Sequence, residues 1–277
     1  MAHCVVPEAE AVLDREYRVL DKGFVRLVDY CGGDARIVQA ARVSYGEGTK
    51  TVREDAALID YLLRNGHTSP FEQVVFTFHI KMPIFVARQW VRHRTARLNE
   101  MSGRYSVMRN EFYLPEPEDV SLQSASNRQG RGEAASAPAV ARALGALKKG
   151  QDEAYAGYDS LIAEGIAREL ARINLPLSLY TEMYWQIDLH NLFHFLKLRL
   201  DGHAQREIRE YAAILLDIAR KTAPLAVGAF ENHTLKGVRF SGAEMEELRE
   251  RLSGGHGKLT GKDRERFNAK VDRGEQL

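Results

Sequence analysis

An α+β fold in one domain is what the sequence predicts, on three observations. Two stretches, Val75 to Met82 and Leu179 to Ile187, alternate apolar and polar side chains with the period of a half-buried strand. Several other stretches repeat their apolar residues at the spacing of a helix face. No internal repeat and no linker divides the chain, so one core is expected.

The elements follow in order. Phe24 to Tyr30 reads as a short strand ended by Gly32 and Gly33, and Asp34 to Ser44 has helical spacing through Ile37, Ala40 and Ala41. From Arg53 to Asn65 the pattern is a better helix: Ala57, Leu58, Tyr61 and Leu62 share a face, and Gly66 stands where a C-cap glycine belongs. In the first alternating stretch Phe76, Phe78, Ile80 and Met82 face one way, with Thr77, His79 and Lys81 opposite. Pro83 suits the first turn of a helix from Ile84 to about Val91. The arginine-rich stretch after it has no clean period and is expected to cross a site as loop or edge strand. Residues from about Pro115 to Pro138, rich in Ser, Gly, Pro, Asn and Gln, read as an exposed loop. Helical pattern resumes from about Val140 to Glu164. After the second alternating stretch, Asp188 can cap a helix carrying Leu189, Leu192, Phe193 and Leu196. Ala204 to Thr222 is a further amphipathic helix, and Ser241 with Glu244 forms a capping box for a short one. The charged C-terminal end is expected to fray.

With 277 residues the chain can bury a real core. Its 39 basic and 38 acidic residues nearly cancel, so no global field argues for nucleic acid or a membrane surface. Any anion site must come from local clustering. Met1 to Leu20 lack a long apolar stretch and carry Glu8, Glu10, Asp14 and Glu16, unlike a secretory signal. No run approaches the roughly 20 apolar residues that span a bilayer. Cys4 and Cys31 cannot build a disulfide framework, so a cytoplasmic protein is expected.

Three constellations carry chemistry. The densest runs from Gln89 to Ser106, with four arginines and one histidine inside the thirteen residues Arg92 to Arg104 and no lysine. Guanidinium groups grip phosphates and carboxylates through paired charged hydrogen bonds. Gly103 would let backbone amides approach a ligand, and Asn99 and Glu100 can orient arginines or meet a base or ribose. Taken alone, the segment reads equally well as a solvated basic strip. The second constellation, His67-Thr68-Ser69-Pro70-Phe71-Glu72, leads from a helix end into a buried strand, a place that can line a pocket; in isolation a plain turn is the simpler reading. The third joins Asp188, His190 and His194 to Arg199, Asp201 and His203. His190 and His194 share a helix face, yet Asn191 stands where a helical metalloprotease needs glutamate, so hydrogen-bonding histidines rank above zinc and no metal is expected. Glycine-rich dinucleotide and phosphate loops are absent, as is a serine-hydrolase elbow.

Together these elements resemble the flavin-dependent thymidylate synthase family. Its signature, R-H-R followed by seven residues and serine, is matched by Arg92-His93-Arg94 and Ser102, with Asn99-Glu100 before the serine and Arg104-Tyr105 after it. His67, Pro70, Phe71 and Glu72 match the family's H-x-x-P-F-E turn. Ala171 to Pro176, Asp188 to Phe195 and Leu198 to Gln205 match three further segments in order. The similarity spans roughly Val25 to Ala223. That leaves residues 1–23 as an N-terminal extension, 24–223 as the family domain with its loop 115–138, and 224–277 as a C-terminal extension. Arg97 and Gln73 depart from the family's usual serine and histidine.

The resemblance implies a twisted antiparallel sheet flanked by helices, with a helical lobe from the Val140 region. It implies conversion of dUMP to dTMP, with the carbon from 5,10-methylenetetrahydrofolate and the hydride from FAD reduced by NADPH. By resemblance Gln89, Trp90, Val91, Arg92, Glu100, Met101, Ser102, Gly103, Arg104, Arg172 and Arg199 meet dUMP, and Arg199 is catalytic. FAD would be held by Ser44, His67, Ser69, Arg92, His93, Arg94, Glu100, Asp188, Leu189, His190 and His194. The family also implies a homotetramer with sites shared between subunits. No nucleic-acid or membrane partner is expected.

Overall fold

The structure, a computed structural model, describes residues 4–43, 50–125, 130–255 and 257–272. In chain order it contains α1 (Pro7–Glu10), β1 (Glu16–Val19), β2 (Gly23–Cys31), α2 (Asp34–Ala41) and α3 (Val52–Arg64). Next come β3 (Val75–Pro83), α4 (Ile84–Trp90) and β4 (Arg97–Glu100), then the small hairpin β5 (Ser121–Gln123) and β6 (Arg131–Ala134). The long α5 (Ala137–Ala163) and short α6 (Arg168–Ala171) precede β7 (Tyr180–Asp188), α7 (Leu189–Arg199), α8 (Arg206–Thr222) and α9 (Pro224–Phe230). Helices α10 (Gly242–Leu252) and α11 (Gly261–Asp272) close the series.

Five strands form one sheet in the order β1-β2-β3-β7-β4, every neighbour antiparallel. The two alternating stretches of the sequence are its centre. Pairing of Phe78 with Trp185 and Ile80 with Met183 puts the apolar rows of β3 and β7 on the same face. That face is covered by α4, α7 and α8. Trp90 of α4 lies with its ring centre 5.1 Å from Trp185, 4.6 Å from Phe195 of α7 and 5.9 Å from Tyr211 of α8. All four of these side chains are buried. The opposite face is polar: Arg26 donates to His79 Nδ1 at 3.0 Å, so His79 Nε2 carries the proton that bridges to Glu182 at 3.0 Å.

Local signals set the helix ends. Thr51 and Glu54 make a reciprocal capping box at the start of α3. Asp188 accepts from the backbone of Asn191 to start α7, as its position before the apolar run predicts. The helical lobe is α5 with α6, where Tyr158 and Ala171 bury against Met108, Phe112 and Leu179.

Several elements differ from expectation. Within the expected N-terminal extension, residues 16–19 form a strand because β2 supplies the pairing; Val19 is its one buried side chain. The expected loop 115–138 contains the β5–β6 hairpin, and α5 begins at Ala137. The C-terminal residues form α11 up to Asp272 where fraying was expected. The described residues divide into two compact units, 1–227 and 228–277. Within the second, Phe267 of α11 is fully buried beside Phe240, and Lys270 pairs with Glu244 at 2.6 Å. These tertiary contacts override the weak local pattern. Among the described residues no helix is long and apolar enough to cross a membrane.

Gly23 opens β2 where Tyr211 Oη donates to the Lys81 carbonyl at 2.8 Å. A Cβ at Gly23 would overlap the Tyr211 hydroxyl and lie 2.7 to 2.8 Å from the Val19 and Lys81 carbonyl oxygens. Gly23→Ala should therefore destabilise the fold by about 2 kcal/mol or more, read as a lowered urea midpoint with unchanged m-value. An unshifted midpoint would remove this close approach from the packing argument.

Candidate active site

The arginine segment hangs from a buried anchor. Trp90 is fully buried, and its indole Nε1 has no hydrogen-bond partner among the described residues. After it the chain runs mostly exposed, with His93 half-buried, to β4, which pairs with the edge of β7 through Asn99↔Tyr184 and Glu100↔Met183. The far edge of β4 has no strand partner among the described residues. Thr181 donates to Glu100 Oε1 at 2.7 Å, and Arg97 to Gln186 at 3.0 Å. A tight turn follows, with Ser106 N–H donating to Ser102 O at 3.1 Å and Arg104 N–H to Ser102 Oγ at 3.3 Å. Gly103 is buried in this turn, and a Cβ there would come within 2.9 Å of Met108 and 3.1 Å of Arg172.

This turn forms one wall of a cavity of about 640 Å³. Its polar lining includes Arg88, Glu100, Ser102, Glu169, Arg172 and Thr181, and its apolar lining includes Ile84, Met108, Leu175 and Leu179. Of the residues expected at a nucleotide, Val91, Glu100, Met101, Ser102, Gly103 and Arg172 line it. Gln89, Trp90, Arg92, Arg104 and Arg199 do not. The Trp90 indole belongs to the core, so any contact to a ligand falls to its backbone. Arg104 instead pairs with Glu169 at 3.1 Å on the exposed rim. Sequence reasoning missed Arg88, Glu169 and Thr181. A signal existed for two of them: Arg88 shares the α4 face of Ile84 and Val91, and Thr181 is the polar residue on the buried row of β7.

A second cluster centres on Arg199, at the end of α7. Its Nε donates to His93 Nε2 at 3.0 Å and its Nη2 to the Gln89 carbonyl at 3.2 Å. A guanidinium only donates, so His93 Nε2 must be the acceptor and the ring proton sits on Nδ1. His93 is thereby neutral. Burial first, then the charge of Arg199, then His194 push its pKa down to about 4. Burial also lowers the pKa of Arg199, though a guanidinium stays charged at physiological pH. The His194 ring lies 5.7 Å from that of His93, and His190 is one helical turn earlier.

The residues expected at a flavin divide accordingly. His93 and His194 meet beside Arg199, while Arg92 and Arg94 are exposed on either side of His93. Asp188 is engaged in capping α7, and Leu189 is fully buried. His67 and Ser69 are exposed; His67 stacks on Tyr61 at 5.9 Å, and the turn that follows packs Phe71 against Phe193 of α7. Ser44 lies outside the described residues. Among the described residues no group of three His, Cys, Asp or Glu side chains is arranged to hold a metal ion.

Comparison with known proteins matches this chain twice to family models. One described as "Thymidylate synthase complementing protein" covers residues 26–225, and "Thymidylate synthase ThyX C-terminal domain" covers 238–277. A flavin-dependent thymidylate synthase of Treponema denticola is 64% identical over 266 residues, spanning 96% of this chain and 100% of its own. One from Treponema pallidum is 60% identical over 277 residues, spanning 100% of this chain and 91% of its own. Among solved structures, the UMP/dUMP methylase PolB of Streptomyces cacaoi, bound with 5-Br UMP, superposes with a TM-score of 0.71 at 32% identity. That match covers 78% of this chain and 96% of the other.

The neutral state of His93 has a measurable sign. Its folded pKa lies below the ordinary 6.5, so the unfolded chain binds the proton first. The stability gained by keeping the ring neutral is complete above about 6.5 and is lost as pH falls towards about 4. In flavin-free protein the His93 ring should titrate near 4 by NMR, and wild type should lose stability relative to His93→Gln across that window. A midpoint at the ordinary value would overturn the hydrogen-bond assignment.

Proposed function

The chain belongs to the flavin-dependent thymidylate synthase family, and on that premise we propose that it converts dUMP to dTMP. The observation that carries the reading is the convergence of Glu100, Ser102, Gly103 and Arg172 on one wall of the 640 Å³ cavity. The nucleotide phosphate is a compact dianion. Arg172 supplies a guanidinium fork for it, Ser102 a hydroxyl, and the turn at Gly103 a backbone that no Cβ shields. Glu100, held by Thr181, is fixed as an acceptor for the sugar or base. Ser102 Oγ has no His, Asp or Glu hydrogen-bond partner among the described residues, which favours positioning over nucleophilic attack.

Arg199 is the catalytic cation in this reading. The neutral His93 ring and the Gln89 carbonyl hold two of its N–H groups and fix its plane. A fixed cation at the uracil edge favours ionisation at N3 and enriches the ring carbon that accepts the new methyl group. Methylenetetrahydrofolate supplies that carbon. Arg92, His93, Arg94, His190 and His194 offer FAD a donor set suited to a dinucleotide's phosphates and ring edges, and FAD reduced by NADPH supplies the hydride when bound. No activated thiol is needed: Cys4 and Cys31 are free and neither lines the cavity, and free thiols support a cytoplasmic setting.

We also propose a homotetramer with active sites completed across subunits. The open edge of β4 supports it, as do the exposed apolar side chains Ile173 and Leu177 of the cavity lining.

The deciding assay is dUMP-dependent oxidation of NADPH by the yellow, flavin-loaded protein, with and without methylenetetrahydrofolate, analysed for dTMP. No dTMP under these conditions sinks the reading. Arg199→Ala should lower kcat by roughly a hundredfold or more while the protein stays folded and retains flavin; wild-type turnover would remove the ionisation role. Ser102→Ala should raise KM for dUMP yet keep slow dTMP formation, and complete loss of turnover in a folded, dUMP-binding variant would point to an obligatory serine step.

A further inference from the structure

A second cavity, of about 350 Å³, lies at the N-terminus of α8 and is not used by the chemistry above. Its lining includes Arg131, Gly202, His203, Gln205, Arg206 and Arg209, with no Asp or Glu among the described residues. Arg206 and Arg209 are three apart and share a helix face. Arg131 reaches the cavity from β6. The arginines differ in how their charge is engaged. Arg131 is paired with the buried Glu207, and Arg206 with Asp119 and Glu210, all carboxylates outside the lining. Arg209 has no carboxylate partner among the described residues; its hydrogen bond is to the Gly202 carbonyl, at 3.5 Å.

Helix α8 has 17 residues and its N-cap Gln205 makes no side-chain cap, while the Glu207 carboxylate in its first turn takes up that residue's own backbone amide. The Gln205 side chain instead accepts from Gln89, whose carbonyl accepts from Arg199. The cavity is thus joined to the catalytic arginine through one pair of glutamines.

We propose that this cavity binds the oxyanion group at the trailing end of a cosubstrate whose reacting end lies near Arg199. This rests on the function proposed above, under which dUMP has its phosphate met by Ser102, Gly103 and Arg172. Two cosubstrates carry remote oxyanions: the γ-linked glutamates of folate and the 2′-phosphate of NADPH. Either presents oxygens that paired guanidinium N–H groups recognise. Arg131 and Arg206, held from behind by carboxylates, are set in place before a ligand arrives, and Arg209 supplies the charge not yet engaged.

The test uses full-length wild type and Arg209→Gln, a half-exposed helix position where glutamine keeps helix propensity. Calorimetry measures binding of γ-triglutamate and of inorganic pyrophosphate. Steady-state assays compare mono- with polyglutamylated methylenetetrahydrofolate, and NADPH with NADH. Binding of either probe, weakened about tenfold in Arg209→Gln, supports the cavity as an oxyanion site. A matching rise in KM confined to the polyglutamylated folate assigns it to the folate tail, and one confined to NADPH assigns it to the nicotinamide cosubstrate. Values of kcat and of KM for dUMP should stay at wild type. The proposal is overturned if neither probe binds wild type, if the variant binds both as well as wild type, or if all KM values rise together. A wild type that forms no dTMP but binds the probes in an Arg209-dependent way would refute the assigned reaction and leave the oxyanion site standing.

Discussion

The packing of Trp90 against Trp185, Phe195 and Tyr211 is the constraint on which the site depends, because it joins the sheet to three helices at one point. Several of the functional groups leave from near that point. Gln89 precedes Trp90 in α4, and His93 follows it by three residues. Arg199 is one turn of helix beyond Phe195, and Arg206 and Arg209 begin the helix that carries Tyr211. Aromatic burial of this size is the dominant stabilising term a domain has, and here it also fixes where charged groups stand relative to one another. A site built on such elements is positioned more sharply than one built on loops alone.

The electrostatics follow from the same geometry. Burying the Arg199–His93 contact costs hydration of both groups, and the chain meets that cost by keeping one partner neutral rather than by pairing opposite charges. A carboxylate in the place of His93 would neutralise the arginine. A neutral acceptor orients it and leaves its charge available. By contrast, Arg131 is held by Glu207, whose burial pushes its pKa up but is outweighed by its own backbone amide, Arg131 and Tyr113. One arginine is aimed with its charge free, and the other is fixed with its charge matched.

How much of this was legible depended on whether the signal was local. The rows of β3 and β7 were readable because each strand buries one face, and the caps at Asp188 and Ser241 because a helix start is specified within four residues. Strand β1 and helix α11 were not readable. Each has a single buried side chain, Val19 and Phe267, which is too few apolar positions to set a period in the sequence. At the site, Ser102, Gly103 and Arg172 were accessible through their motif. The cavity's Glu169 was hidden because exposed glutamates on short helices are common, and the His93–Arg199 contact spans 106 residues, beyond any local pattern. The tie of Thr181 to Glu100 shows what could have been asked: why a hydroxyl sits in an otherwise apolar row.

The Trp90–Trp185 contact has an optical consequence. These are the two tryptophans of the chain, and both are buried beneath the arginine segment with ring centres 5.1 Å apart. The protein's intrinsic ultraviolet emission therefore arises from one spot in the core. A flavin absorbs where indole emits, so a bound isoalloxazine would drain that emission by resonance energy transfer. Cofactor loading and unfolding of the core would then report through the same two residues, loading as quenching and unfolding as a shift of the band to longer wavelength.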